Sequence, residues 1–248
     1  MKMAISVVIP AHNEEGSIRE TVESVAKVLV REQIQFEIIV VNDHSTDTTV
    51  TMLTELAKHI PQLRIVHNEQ LAGFGRAVVS GINAARGTYV VIMMADLSDD
   101  PEDLVRYYRA AKETGVDCVF GSRFIKGGIT YDYPRYKLIL NRFANTLVRI
   151  LFQIRYNDCT NAFKLYKRET LDGLRPFMSP HFNLTLELPL KAIVRGYTYT
   201  VLPNSWRNRK SGTSKLKIKE MGSRYLFILL YCLIERYFSR GDFKKSTE

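Results

Sequence analysis

The sequence predicts an α/β fold: a mostly parallel sheet flanked by helices, with a basic, amphipathic helical extension at its carboxyl end. Three observations predict it. Short runs rich in Val and Ile recur at Ile5–Ile9, Phe36–Val41, Arg64–His67, Tyr89–Met94 and Asp117–Gly121, and such runs read as strands. Most are continuously apolar rather than alternating, as strands buried on both faces require. Amphipathic stretches of helical length separate them, and strands alternating with helices imply parallel pairing through right-handed crossovers. Without a repeat, a low-complexity tract or a linker, residues 1–215 read as one domain and 216–248 as its helical extension.

Each element has a local cause. Ile5–Ile9 is broken by Pro10, and A-H-N-E-E-G-S leads into a helix from about Ser17 to Arg31. Phe36–Val41 runs into N-D-H-S-T-D-T-T, where Asp43 and Ser45 suit a turn and Thr46 or Asp47 a helix cap. After Arg64–His67, the stretch N-E-Q-L-A-G-F-G-R-A opens a helix to Ala85, which Arg86-Gly87 closes because glycine takes the left-handed cap. Pro101 fits the first turn of a helix that extends to Thr114. Beyond Gly121 the pattern changes to a basic glycine-rich loop, G-S-R-F-I-K-G-G, and a helix over Arg135–Arg155 with no acidic residue. Arg135, Arg142 and Arg149 recur every seven residues and so share one of its faces. N-D-C-T-N-A-F-K-L-Y-K-R follows, with no element assigned to it. Helices near Arg168–Leu174 and Asn183–Val194, a strand Thr198–Leu202 and a helix Gly222–Phe238 complete the chain.

The 248 residues are 46% hydrophobic and 25% charged, which excludes disorder. The net charge of +9 argues for an anionic partner: nucleic acid, a phospholipid surface or a phosphorylated substrate. Nucleic acid is disfavoured, because the basic residues flank an apolar helix rather than exposed stacking aromatics. Cys118, Cys159 and Cys232 lie too far apart for a disulfide framework or a zinc site, so a reducing, cytoplasmic setting is expected. The longest apolar run, Tyr225–Ile234, is about half of the ~20 residues that cross a bilayer.

The chemistry centres on T-Y-V-V-I-M-M-A-D-L-S-D-D-P-E-D, where Asp96, Asp99, Asp100 and Asp103 follow an apolar strand. Ligands of open α/β sheets bind at the carboxyl ends of such strands. Asp100 and Asp103 read as residues of a helix start, whereas Asp96, directly behind the strand, reads as the ligand of a divalent cation carrying a phosphorylated molecule. The loops 11–15 and 42–47 leave neighbouring strands and hold short polar side chains able to read a base or a ribose. Neither G-x-G-x-x-G after the first strand nor G-x-x-x-x-G-K anywhere is present. The five histidines read as loop or surface residues, without a Ser–His–Asp or Cys–His arrangement.

In order along the chain, V-V-I-P-A-H-N-E-E, V-V-N-D-H-S-T-D-T-T, A-D-L-S-D-D-P, G-S-R-F and W-R-N-R-K-S-G-T-S-K resemble glycosyltransferase family 2. Asp158, Thr160 and Phe163 in D-x-T-x-x-F, together with Arg209 to Lys215, make the resemblance narrower. They point to the branch of dolichyl-phosphate mannose synthases and polyprenyl-phosphate glycosyltransferases. The resemblance implies a GT-A (Rossmann-like) fold and a nucleotide-sugar donor, GDP-mannose or a UDP-hexose. It implies that Pro10, Asn13 and Glu14 line the nucleoside pocket and that Asp43 hydrogen-bonds the base. Asp96, next to Ala95 in the donor site, would hold Mg²⁺ or Mn²⁺ on the donor diphosphate, with Asp99 a ligand directly or through water. Arg123, Arg135, Arg209 and Lys215 would hold the diphosphate and an acceptor phosphate. Met94 and Ser98 stand where the family commonly has polar metal-site residues, and Asn42-Asp43 replaces an acidic pair.

A polyprenyl-phosphate acceptor is already an anion, since phosphate monoesters have a second pKa near ~6, and inversion in one displacement then needs no strong base. A sugar-hydroxyl acceptor, the alternative, would need one, with Glu187 or Asp158 as candidates. A reading from another class is a nucleotide-sugar or anionic-lipid binding module. Gly222–Phe238 is expected to lie on the anionic cytoplasmic face of a membrane, a homo-oligomer being the other use of its apolar side. Asn208–Lys215 is expected to close over bound phosphates.

Overall fold

The computed structural model describes residues 3–208 and 218–245. Its main sheet holds β1 (Ile5–Ala11), β2 (Phe36–Asn42), β3 (Leu63–His67), β4 (Tyr89–Ile92), β5 (Cys118–Ser122), β7 (Lys164–Lys167) and β8 (Tyr199–Pro203), in the order β3-β2-β1-β4-β7-β5-β8. β6 (Ile129–Tyr131) and β9 (Ser205–Arg207) pair in parallel beside it. The helices are α1 (Ile18–Arg31), α2 (Thr49–Ala57), α3 (Phe74–Ala84), α4 (Pro101–Thr114), α5 (Arg135–Phe152), α6 (Arg168–Gly173), α7 (Leu184–Val194) and α8 (Ile218–Phe238).

Alternate residues of β1 feed two cores. Val7 and Ile9 pack with Val22, Val25 and Leu29 of α1 and Leu104 of α4, while Val8 packs with Ala77 and Val78 of α3 on the other face. This two-sided burial is why the strands read as continuous apolar runs. The second core also receives Val148 and Phe152 of α5, Leu186 and Leu190 of α7, and Ile228 and Cys232 of α8. The carboxyl-terminal helix therefore packs into the same body as the sheet. Bidentate hydrogen bonds from Arg195 to Glu235, at 2.7 and 2.9 Å, fasten it there.

Two expectations about strands need correction. β1 does not stop before Pro10; it continues through it to Ala11, with Pro10 opposite Val41. Val8 presents its carbonyl towards β4, accepting the Met93 N–H, and Pro10 shares that side. β4 ends at Ile92, so the N–H that proline lacks has no ladder partner to lose there. The second correction is β7, which comes from the segment with no assigned element. It lies antiparallel between β4 and β5, so the two are not neighbours. Among the described residues, no helix is long and apolar enough to cross a membrane.

Candidate active site

Three loops leave the carboxyl ends of the adjacent strands β2, β1 and β4, and hydrogen bonds lock the first two together. Asn13 Oδ1 accepts the Thr46 N–H at 2.7 Å, and the Asn13 N–H donates to Ser45 Oγ at 3.0 Å. The Glu14 N–H donates to Thr49 Oγ1 at 2.9 Å, and Glu15 accepts from the Thr48 hydroxyl at 2.6 Å. Each of the three loops contains a non-glycine residue with positive φ: Asn13 (53°), His44 (59°) and Leu97 (59°). Asparagine tolerates this conformation, whereas leucine rarely adopts it, and such strain gathers at functional sites. Pro10 is buried within β1 and Asn13 is exposed at the loop tip. Asp43 lies deeper, with Oδ1 accepting from Asn68 Nδ2 at 2.7 Å and Oδ2 from the Gly73 N–H at 2.9 Å.

The four aspartates after β4 divide by role. Asp100 caps α4, its side chain accepting the Glu102 N–H. Asp103 accepts from Arg106 and, at 2.7 Å, from the Ser205 N–H, which joins α4 to β9. Asp96 accepts the Ser98 N–H at 3.1 Å, closing a turn around Leu97, and is 7% exposed. Asp99, 4% exposed, accepts the Met94 N–H at 3.0 Å. Burial pushes the Asp99 carboxyl up to about 7, and the neighbouring Asp96 charge adds to the rise. Ala95, between Met94 and Asp96, is buried, and its carbonyl accepts from Thr21 of α1 at 2.9 Å. The described residues contain no group of three or more His, Cys, Asp or Glu able to hold a metal. Asp96 and Asp99 form a pair, not a cage.

Arg123 is 8% exposed, and its fork is committed: Nε and Nη2 donate to Asp158 at 2.8 and 2.6 Å. Burial works against its charge, but Asp158 overcomes that cost and raises the guanidinium above the ordinary arginine value. The rings of Phe124, Tyr133 and Trp206 surround it at 5.2, 5.6 and 5.9 Å. Arg135 opens α5 and is exposed. Arg209 and Lys215 lie outside the described residues. What precedes them is anchored at the acidic loop: the Arg207 N–H donates to the Ser98 carbonyl at 2.9 Å, Trp206 bridges Asp99, and the Asn208 N–H donates to the Tyr131 carbonyl at 3.0 Å.

Sequence reasoning missed Asn68, which orients Asp43, and the aromatic box of Tyr133 and Trp206 around Arg123. Asn68 directly follows β3, at the same end of the sheet as the other loops, and that position was a usable signal. Nothing local in the sequence announces the box.

The family model of glycosyl transferase family 2 matches residues 6–175, which span all three loops, Arg123 and Asp158. The chain belongs to glycosyltransferase family 2. It is 32% identical over 216 residues to the polyprenol monophosphomannose synthase of Mycolicibacterium smegmatis, covering 85% of this chain and 80% of that one. It is 31% identical over 221 residues to the dolichol-phosphate mannosyltransferase of Pyrococcus furiosus, covering 88% of this chain but only 60% of that protein's length. Among solved structures it resembles the glucosyl-3-phosphoglycerate synthase of Mycobacterium tuberculosis in complex with Mn²⁺, UDP and phosphoglyceric acid. The TM-score is 0.70 at 23% identity, over 93% of this chain and 78% of that one. The fold of this glycosyltransferase is thus GT-A.

Proposed function

We propose that the enzyme transfers a hexose, from GDP-mannose or a UDP-hexose, to a polyprenyl or dolichyl phosphate at a membrane surface, with inversion. The condition of the two carboxylates that could serve as general base carries this reading. Asp158 is buried with both oxygens on Arg123. Glu187 is buried, lies 2.6 Å from Lys191 and accepts the Met178 N–H at 2.8 Å. An acceptor hydroxyl would need a base within reach, whereas a phosphate monoester arrives as an anion. The names of the two relatives, both phosphopolyprenol mannosyltransferases, agree with that choice.

Pro10, Asn13, Glu14, Asp43 and Ala95 would line the donor pocket, with Asp43 reading the base. A divalent cation fits Asp96 and Asp99. Both are buried carboxylates at the end of β4, and Mg²⁺ or Mn²⁺ is often held by one or two carboxylates plus phosphate oxygens. When bound, the ion would neutralise charge on the departing nucleoside diphosphate. Arg123 would present the remaining edge of its guanidinium to phosphate while Asp158 holds it in place. Arg135 would add charge at the acceptor side, and Arg209 and Lys215 would act on the displaced diphosphate.

Surface chemistry supports the membrane as a partner. Ile139, Phe143 and Ile150 of α5 and Leu226, Leu230, Ile234 and Phe238 of α8 are exposed, with Arg135 and Arg149 beside the first group. Apolar side chains rimmed by cations suit an anionic bilayer. Binding to anionic liposomes that weakens with salt is expected in flotation. A salt-insensitive homo-oligomer that ignores liposomes would replace the membrane with a second copy.

The deciding experiment is a donor screen with undecaprenyl and dolichyl phosphate as acceptors, beside the free prenols and sugar hydroxyls. Transfer only to the phosphates is expected. Arg209→Ala and Lys215→Ala should lower kcat far more than they weaken donor binding, and Arg209→Lys should also be impaired, because lysine cannot reproduce a bidentate phosphate contact. Transfer to sugar hydroxyls but never to prenyl phosphate would refute the reading.

A further inference from the structure

Asp43 is oriented from the side of α3. Gly73, the residue before that helix, donates its N–H to Oδ2, and one segment crowds both Gly73 and Gly75. A Cβ at Gly73 would collide with the Pro180 carbonyl oxygen, and one at Gly75 with the carbonyl oxygens of Ser179 and His181. The Arg76 N–H donates to the Pro180 carbonyl at 3.3 Å, and the rings of Phe74 and Phe182 meet at 4.6 Å. Only glycine lets the backbones approach this closely. The position of 179–181 therefore fixes the position of the Gly73 N–H.

The same segment is fastened from within by α7. Glu187 and Lys191, one turn apart and both fully buried, pair at 2.6 Å. Glu187 Oε1 accepts the Met178 N–H, and Lys191 Nζ donates to the Pro176 carbonyl. Replacing a buried ion pair by apolar side chains of similar volume is often neutral or stabilising, so stability alone does not account for this one. Two leucines could not do what it does here, which is to grip backbone polar groups on either side of Phe177.

We propose that Glu187 is a positioning residue for the nucleotide donor: with Lys191 it sets the 176–181 segment, which sets the Gly73 N–H and through it the Asp43 carboxylate. The inference rests on Asp43 being a donor contact, as in the proposed function. It gives Glu187 a role opposite to the general base that the sequence allowed, because the carboxylate serves as an anchor and never receives a proton from substrate.

The test uses the whole chain, with UDP and GDP in the presence of MnCl₂ as calorimetric probes, beside steady-state transfer from the sugar nucleotide whose diphosphate binds. Glu187→Gln keeps an oxygen for the Met178 N–H, Glu187→Leu removes it, and Gly75→Ala displaces the segment from the opposite side without touching either charge. Thermal melts establish which variants fold. Glu187→Leu and Gly75→Ala should weaken nucleotide binding and raise the donor KM by roughly tenfold, the scale of losing an outer support. Their kcat at saturating donor should stay within about threefold, since only binding shared by ground and transition states is lost. Glu187→Gln should hold both parameters within about threefold of wild type, the rescue that an anchoring oxygen predicts. Unchanged nucleotide affinity in folded Glu187→Leu or in Gly75→Ala overturns the inference. So does a collapse of kcat in Glu187→Gln at unchanged donor affinity, which would mark a base. A wild-type chain that binds neither nucleotide refutes the proposed function itself, and that outcome appears before any substitution is made.

Discussion

Asp99 and Asp117 sit at opposite ends of the sheet, one behind β4 and the other ahead of β5, and their surroundings differ in kind. Asp117 accepts from the Thr198 N–H and hydroxyl, both at 2.8 Å, and from Lys245 at 2.9 Å, with Lys167 at 3.4 Å. Burial alone would raise its pKa, but hydrogen bonds from Lys245 and Thr198 outweigh it and hold the carboxyl at about 2. Asp99 is buried, with one backbone N–H and like charges nearby that the Arg123 charge does not offset, and it rises to about 7. One end of the sheet satisfies its carboxylate from its own chain. At the other end burial prevails over the hydrogen bond and the Arg123 charge that favour the carboxylate, and left-handed residues in all three loops add backbone strain. An end that stabilises the fold can be saturated, but an end that receives a ligand has to keep part of its interaction capacity unspent.

Removing charge at each end should expose this difference. The largest effect is expected for Asp96→Asn: transfer falls by about a thousandfold or more, the scale of losing transition-state charge stabilisation, while the melting temperature stays near wild type. Excess chelator should act alike on the wild-type enzyme, and full turnover in chelator would remove the metal. Asp158→Asn strikes fold and site together. It leaves the Arg123 charge buried and short of its partner, which costs about 3–5 kcal/mol. A fall in melting temperature of roughly 10 °C is expected for a chain of this size, and a shift below a few degrees would show that Arg123 finds other support.

The smallest effect is in the pH dependence of stability, and the two aspartates give opposite signs. The folded pKa of Asp99 is raised, so its share of stability is present at low pH and lost as pH rises through about 7. That of Asp117 is depressed, so its share is present above its ordinary value and lost as pH falls towards about 2. The melting temperature of the ligand-free protein should therefore decline from about pH 4, the ordinary aspartate range, to about 7, and level off above it. Asp99→Asn should flatten that decline, and Asp117→Asn should change only the acid limb. UDP with Mn²⁺ should raise the melting temperature more at the alkaline end. A decline that persists in Asp99→Asn would assign it to another group.

The parallel half of the sheet was legible because β1, β2 and β4 are continuous apolar runs, each followed by a polar loop and a helix. The acidic cluster was legible for the same reason, since its position behind a strand fixed its end of the sheet. β7 was not. K-L-Y-K is only four residues long with a lysine at each end, which does not announce a buried strand, yet Lys164 is buried and donates to the carbonyls of Cys159, Asn161 and Thr185. Burial lowers its pKa to about 7, so a residue that local pattern treats as an outward charge serves inside the core. The Arg123–Asp158 pair was hidden differently: both residues stood in recognisable motifs, but only β7 folding back beside β5 brings them together. Sequence showed which segments meet at one end of the sheet better than it showed which of their residues are already committed to one another.

The place of β7 also bears on how the chain is built during synthesis. β1 to β4 complete a four-stranded layer from consecutive segments, whereas β5 is flanked by β7 and β8, both of which are translated after it. Until those strands emerge, Cys118–Ser122 is an apolar segment with neither of its hydrogen-bonding neighbours, and the open side of β4 is equally exposed. Pairings between distant segments form slowly, and unpaired strand edges invite aggregation in the interval. A nascent chain stalled or cut before Lys164 thus holds half a sheet with a sticky margin, and a soluble fragment of this enzyme would have to continue through β8.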